Sequence, residues 1–222
     1  MSASQLNGEL ISALKTFQIQ GAVFDMDGVL LDSMPLWEHA GELYLDSLGI
    51  SSPADLGQTL LEMNMQEGAV YLADHFGLEK SVPEIMDDIN RLIISNYRHT
   101  VPLKDGVMEL LTELKKRNIK MAVATSSDTM IAIPAFQRLQ IDRYFEDILT
   151  CSQYQTSKRE PFIFEKAAEI MGTKKERTLI FEDSLSAAKT AAKAGFRVAG
   201  VYDRSSADMQ EELKKHSDIY MR

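Results

Sequence analysis

The sequence predicts an α/β fold: a Rossmann-like parallel sheet flanked by helices, with a helical segment inserted after the first strand. Two observations predict it. Short apolar runs that end in polar residues alternate with helical patterns along most of the chain, as βαβ units require. The stretch from about Pro35 to Tyr97 breaks that alternation, carrying helical patterns and no convincing strand run.

The elements follow in order. Ala22-Val23-Phe24 is a short apolar run between Gly21 and Gly28 that ends at Asp25, as a buried strand feeding a loop would. The inserted segment reads as helices over Leu36 to Leu48, Gln66 to Phe76 and Pro83 to Tyr97, punctuated by Pro53, Gly57, Gly68 and Gly77. Pro102 and Gly106 mark the return to the sheet, so the boundaries fall at 1–34 and 99–222 for the α/β part and 35–98 for the insertion. Val107, Leu110, Leu111 and Leu114 place a helix over Gly106 to Lys116. Lys120 to Ala124 is a second strand, ending at Thr125-Ser126-Ser127, and Glu146 to Thr150 a weaker one. Pro161 to Met171 is helical. Thr178 to Phe181 is a strand ending at Glu182-Asp183-Ser184. The alanine-rich helix Leu185 to Ala194 stops at Gly195, a C-cap residue, and strands follow over Arg197 to Val201 and Asp218 to Met221.

Composition narrows the function. Across 222 residues, 24 basic and 33 acidic side chains give a formal charge of −9, which argues against a nucleic-acid binder needing a basic face. A small phosphorylated ligand stays compatible, because a bound cation reverses the local field. Cys151 is the single cysteine and reads as a small buried residue, so no intramolecular disulfide is expected. The first ten residues lack a basic start followed by an apolar stretch, and no apolar run has the length of a membrane span. A cytoplasmic monomer with no membrane partner is the expectation.

The chemistry gathers at three strand ends, where open parallel sheets bind ligands. Asp25 and Asp27 precede Gly28, and Glu182 and Asp183 close another strand. Such carboxylates repel one another in a low dielectric unless a cation bridges them, and hard oxygen ligands suit magnesium. The alternative for Asp25 and Asp27 is capping of the following turn. Thr125, Ser126 and Ser127 offer hydroxyls and amides to a phosphate, or else simply N-cap a helix. Lys158, in Ser157-Lys158-Arg159-Glu160-Pro161, is either a charge that offsets carboxylates and phosphate or a solvated loop lysine.

Together these residues resemble the haloacid dehalogenase superfamily, and within it the beta-phosphoglucomutase-like and phosphatase branch. Asp25 to Ser33 matches the family's first motif, Thr125 stands at the second, Lys158 at the third and Phe181-Glu182-Asp183-Ser184 at the fourth. The resemblance covers about Gly21 to Tyr202. It implies that Asp25 is a nucleophile forming an aspartyl phosphate and that Asp27 is the general acid and base. It implies magnesium held by Asp25, the Asp27 carbonyl and Asp183, with Glu182 as a ligand or holding a bound water. Thr125 and Lys158 would hold the phosphoryl oxygens. The insertion resembles the family's small helical cap, where Trp37 either lines a substrate pocket or packs with Leu36. The family's mutases carry a histidine where Trp37 stands, and a cap arginine that Leu60-Leu61-Glu62-Met63-Asn64-Met65 lacks. Metal-free dehalogenases lack a counterpart of Asp27. These features favour a phosphatase of a small phosphorylated metabolite. A mutase and a non-catalytic binding protein on the same fold are the alternatives. One departure stands out: the family's Lys-Pro-x-Pro-Asp reads Lys158-Arg159-Glu160-Pro161-Phe162, where pairing of Glu160 with Lys158 or Arg159 would pull the loop out of register.

Overall fold

The computed structural model describes residues 5–61 and 63–222. Two sequence readings fall partly outside them, the N-terminal decapeptide and the 60–65 segment at Glu62. The chain forms two compact units, one running to Asp32 and resuming at Pro102, the other Ser33–Val101.

The first unit opens with α1 (Gln5–Thr16) and β1 (Gly21–Phe24). The second unit holds α2 (Met34–Glu38), α3 (Ala40–Ser47), α4 (Leu56–Leu61), α5 (Met65–Phe76) and α6 (Val82–His99). The first unit then continues with α7 (Val107–Lys116), β2 (Lys120–Thr125), α8 (Thr129–Leu139), β3 (Ile148–Thr150) and α9 (Phe162–Met171). It ends with β4 (Thr178–Glu182), α10 (Leu185–Lys193), β5 (Arg197–Val201), α11 (Gln210–Lys215) and β6 (Ile219–Met221).

All six strands are parallel, in the order β3-β2-β1-β4-β5-β6. The strand β1 therefore lies inside the sheet, between β2 and β4, and the order reverses on either side of it. That reversal opens a crevice at the carboxyl ends of β1 and β4. Strand alternation sends Val23, Ile180 and Val198 to one face, where Ile163, Phe164, Ala187 and Ala191 of α9 and α10 cover them. On the other face Phe24 stacks on Phe181 with ring centroids 4.4 Å apart, and Phe145 bridges Phe24 to Phe136 of α8. Both aromatic rings of the stack are fully buried, each contributing about 1.5–3 kcal/mol by exclusion from water. They set a rigid floor one residue below Asp25 and Glu182.

In the second unit the long α6 turns Ile85, Ile89, Ile93 and Tyr97 inward at a spacing of four, against Tyr44, Leu45 and Leu72. The single helix expected over Leu36 to Leu48 is corrected to two, α2 and α3. His39 leaves helical geometry at φ −106°, ψ 15° and closes one helix while opening the next.

Candidate active site

Parallel register builds the site. Phe24 pairs with Phe181 on one side and Val123 on the other, and the Asp25 amide donates to the Phe181 carbonyl at 3.0 Å. The next residues outward, Asp25 and Glu182, are thus set side by side, with Asp183 following and Thr125 ending the neighbouring strand. Asp25, Glu182 and Asp183 each present an oxygen, all lying within 4.8 Å of one another.

Lys158 arrives from the loop before α9 and is almost fully buried. Its Nζ lies 2.5 Å from Asp25 Oδ1 and donates to Glu182 Oε1 at 2.7 Å. Glu160 is exposed and plays no part in these pairs. The departure from the usual loop sequence therefore leaves Lys158 in place, and the solvated-lysine alternative is set aside.

Three carboxylates against one ammonium leave an excess of negative charge in a region with little water. Burial raises the Asp25 carboxyl, with Lys158 pulling it down and Asp27 pushing it up. Burial lifts Glu182 to about 8 and Asp183 to about 7, with Asp25 adding to both and Lys158 opposing. Burial lowers the Lys158 ammonium's proton affinity, but Asp25 and Glu182 overcome this and hold it above the ordinary lysine range. A divalent cation bound here would compete with those protons. Glu182 Oε2 is buried and has no hydrogen-bond partner among the described residues, an orphan of the kind that a cation or its bound water satisfies. Hard oxygen donors with this charge fit a divalent cation.

The Asp25 Oδ1 also accepts the Met26 amide at 2.7 Å. Asp27 is held from across the crevice: Ser127 Oγ donates to Asp27 Oδ2 at 2.6 Å, linking two strand ends 100 residues apart. Thr125 is fully buried, and its Oγ1 accepts the Ser127 amide at 3.0 Å. The capping role considered for Thr125 to Ser127 belongs instead to Asp128, whose Oδ1 accepts the Met130 amide at 3.0 Å at the start of α8. Ser126 is exposed, with Oγ 3.9 Å from Cys151 Sγ. Cys151 is buried, and that burial pushes its thiol up, so it stays protonated. Trp37 belongs to the helical unit, where its indole Nε1 donates to Tyr97 Oη at 2.8 Å. It also borders a groove of about 300 Å³ with Leu60, Met63, Met65 and Leu72.

Gly28 shows why a glycine follows the two aspartates. It adopts φ +76°, and a Cβ there would lie 2.5 Å from Asp183 Oδ2. Two further residues were missed from sequence. Asp203, just past β5, and Lys104, before α7, form an ion pair at 2.7 Å, and Lys104 also donates to the Gly28 carbonyl at 2.7 Å. Asp203 was findable as a polar residue ending an apolar run; Lys104 carries no local signal.

The profile of the family described as haloacid dehalogenase-like hydrolase matches residues 22–201. The chain is 28% identical over 184 residues to phosphorylated carbohydrates phosphatase of Thermotoga maritima, covering 82% of this chain and 85% of that one. It is 28% identical over 172 residues to hexitol phosphatase B of Escherichia coli strain K12, covering 76% and 77%. A solved structure from Thermotoga maritima, provisionally named a beta-phosphoglucomutase, matches with a TM-score of 0.82 at 26% identity, covering 92% and 94%.

Proposed function

Starting from a chain that belongs to the haloacid dehalogenase-like hydrolase family, we propose a phosphatase that hydrolyses a small phosphomonoester, such as a sugar phosphate, through an aspartyl phosphate on Asp25. One observation carries the reading: Asp25 sits in a buried cluster with Glu182, Asp183 and Lys158, while Asp27 is held separately by Ser127. The named relatives act on phosphorylated carbohydrates and hexitols, which supports the substrate class.

The Met26 amide and Lys158 both hold Asp25 through Oδ1, which fixes the orientation of the carboxylate for attack on phosphorus. An oxygen–phosphorus bond forms at Asp25 as the bond to the leaving oxygen breaks, and Asp27 gives that oxygen its proton. Ser127 keeps Asp27 aimed while the proton moves. The Asp27 carboxylate then takes a proton from water, which attacks the same phosphorus, releasing phosphate and restoring Asp25. Lys158 neutralises Asp25 before attack and the phosphoryl oxygens after it, and Thr125 lies at the neighbouring strand end to bind them. Magnesium would be held by Asp25, Asp183 and the Asp27 carbonyl, with Glu182 as a further ligand or water holder. It supplies charge neutralisation that lets an anionic nucleophile meet an anionic phosphoryl group.

The test is phosphate release from a panel of phosphomonoesters with and without magnesium, beside Asp25→Asn. Metal-dependent release lost by at least about a thousandfold in the variant is expected. Equal release from both proteins would sink the assignment of Asp25. A requirement for a bisphosphate activator with little net release would turn the reading to a mutase.

A further inference from the structure

Lys104 is placed unusually for a loop lysine. An ammonium has three protons, and this one donates all three: to the Gly28 carbonyl, the Tyr202 carbonyl and Asp203 Oδ2, each at 2.7 Å. The backbone delivers it there. Leu31 bridges Leu103 in antiparallel fashion, the Asp32 amide donates to the Pro102 carbonyl, and the Lys104 amide donates to the Leu30 carbonyl. Asp203 is buried, and its other oxygen accepts both the amide and the hydroxyl of Ser205. Gly28 is wedged between two carboxylates: a Cβ on it would meet Asp183 Oδ2 at 2.5 Å and Asp203 Cγ at 3.4 Å.

We propose that Lys104 is a positioning residue for the magnesium site: it ties the loop after β1 to the exit of β5, holding the 27–28 backbone against Asp183. This rests on the magnesium reading above. Lys104 touches neither the reacting atoms nor the three clustered carboxylates, so it acts through the Gly28 peptide and Asp203. Outer partners of this sort typically change metal affinity by about 10–100-fold when removed.

Charge and position make opposite predictions. Removing Lys104 adds a net negative charge near the cation, which by Coulomb attraction alone would tighten magnesium binding. Loss of positioning loosens it. Calorimetric titration of magnesium into substrate-free Lys104→Met is expected to give a dissociation constant about tenfold above wild type. Unchanged or tighter binding in a folded variant would overturn the proposal. Should Lys104→Met fail to fold, Lys104→Met/Asp203→Asn removes the Asp203 charge together with its partner, so neither is left buried alone. It is compared with Asp203→Asn, in which Lys104 keeps both carbonyls. The double variant is expected to bind about tenfold more weakly than the single one, and equal affinities would overturn the proposal. Wild-type protein that takes up no magnesium would overturn the metal reading itself, whereas a binding wild type and an equally binding Lys104→Met would overturn only the role of Lys104.

Discussion

At the scale of single residues, one constraint at the site falls on an atom the chain does not have. Gly28 leaves room for the Asp183 carboxylate at a backbone angle that side chains rarely adopt. Gly28→Ala is expected to cost about 1–2 kcal/mol from the left-handed backbone alone. The added methyl would also displace Asp183. Thermal unfolding and magnesium titration separate the two effects: a modest loss of stability with magnesium uptake abolished is expected, and normal uptake would show that the Gly28–Asp183 approach is not needed. The Asp25-Met26-Asp27-Gly28 and Glu182-Asp183 strand ends stand out in the sequence because paired carboxylates after an apolar run have little structural reason to be there, whereas Lys158 by itself reads as well as a solvated loop lysine and is singled out only by the family resemblance. Lys104 was not, because what defines it is a bond to a carbonyl 76 residues away, and a carbonyl has no residue identity.

At the scale of elements, strands were easier to read than helices. An apolar run that stops at a carboxylate or hydroxyl marks both the buried strand and its functional end, as at Phe24-Asp25 and Phe181-Glu182. The short α4 offers no such mark, since Gly57, Gln58 and Thr59 dilute its pattern. The α1 segment places Leu10, Ala13 and Leu14 on one buried face, a helical spacing visible in the sequence itself. The entry into α8 separates two jobs that sequence alone leaves merged. Asp128 caps the helix while Ser127 orients Asp27. Asp128→Ala should therefore lose about 1 kcal/mol in urea unfolding and keep its kcat. Ser127→Ala should keep its stability and lose about tenfold in kcat. The reverse pattern would return the capping role to the serine.

At the scale of the whole molecule, the acidic cluster ties stability to pH and metal. Asp183 and Glu182 have folded-state values raised to about 7 and about 8 by burial and by their neighbours. A raised carboxyl favours the folded state while protonated, and that stability is lost as pH climbs through the folded value. Metal-free protein should thus melt at a lower temperature at pH 9 than at pH 6. Magnesium should reverse the loss at pH 9 and do little at pH 6, since binding must displace the same protons. Between pH 8 and pH 6 its affinity should fall by about tenfold or more. Melting curves across this range, with and without magnesium, check the prediction, and a melting temperature indifferent to both would contradict it. The strand order has a consequence on another axis, that of time. β1 is made first but needs β4 beside it, and Glu182 is added 158 residues after Phe24. At about 5–20 residues per second of synthesis, the nascent sheet waits roughly ten to thirty seconds with one side of its central strand bare. The ribosome-bound chain is therefore exposed to misassociation over that interval, and Asp25 gains its Glu182 and Asp183 neighbours only once β4 has been made.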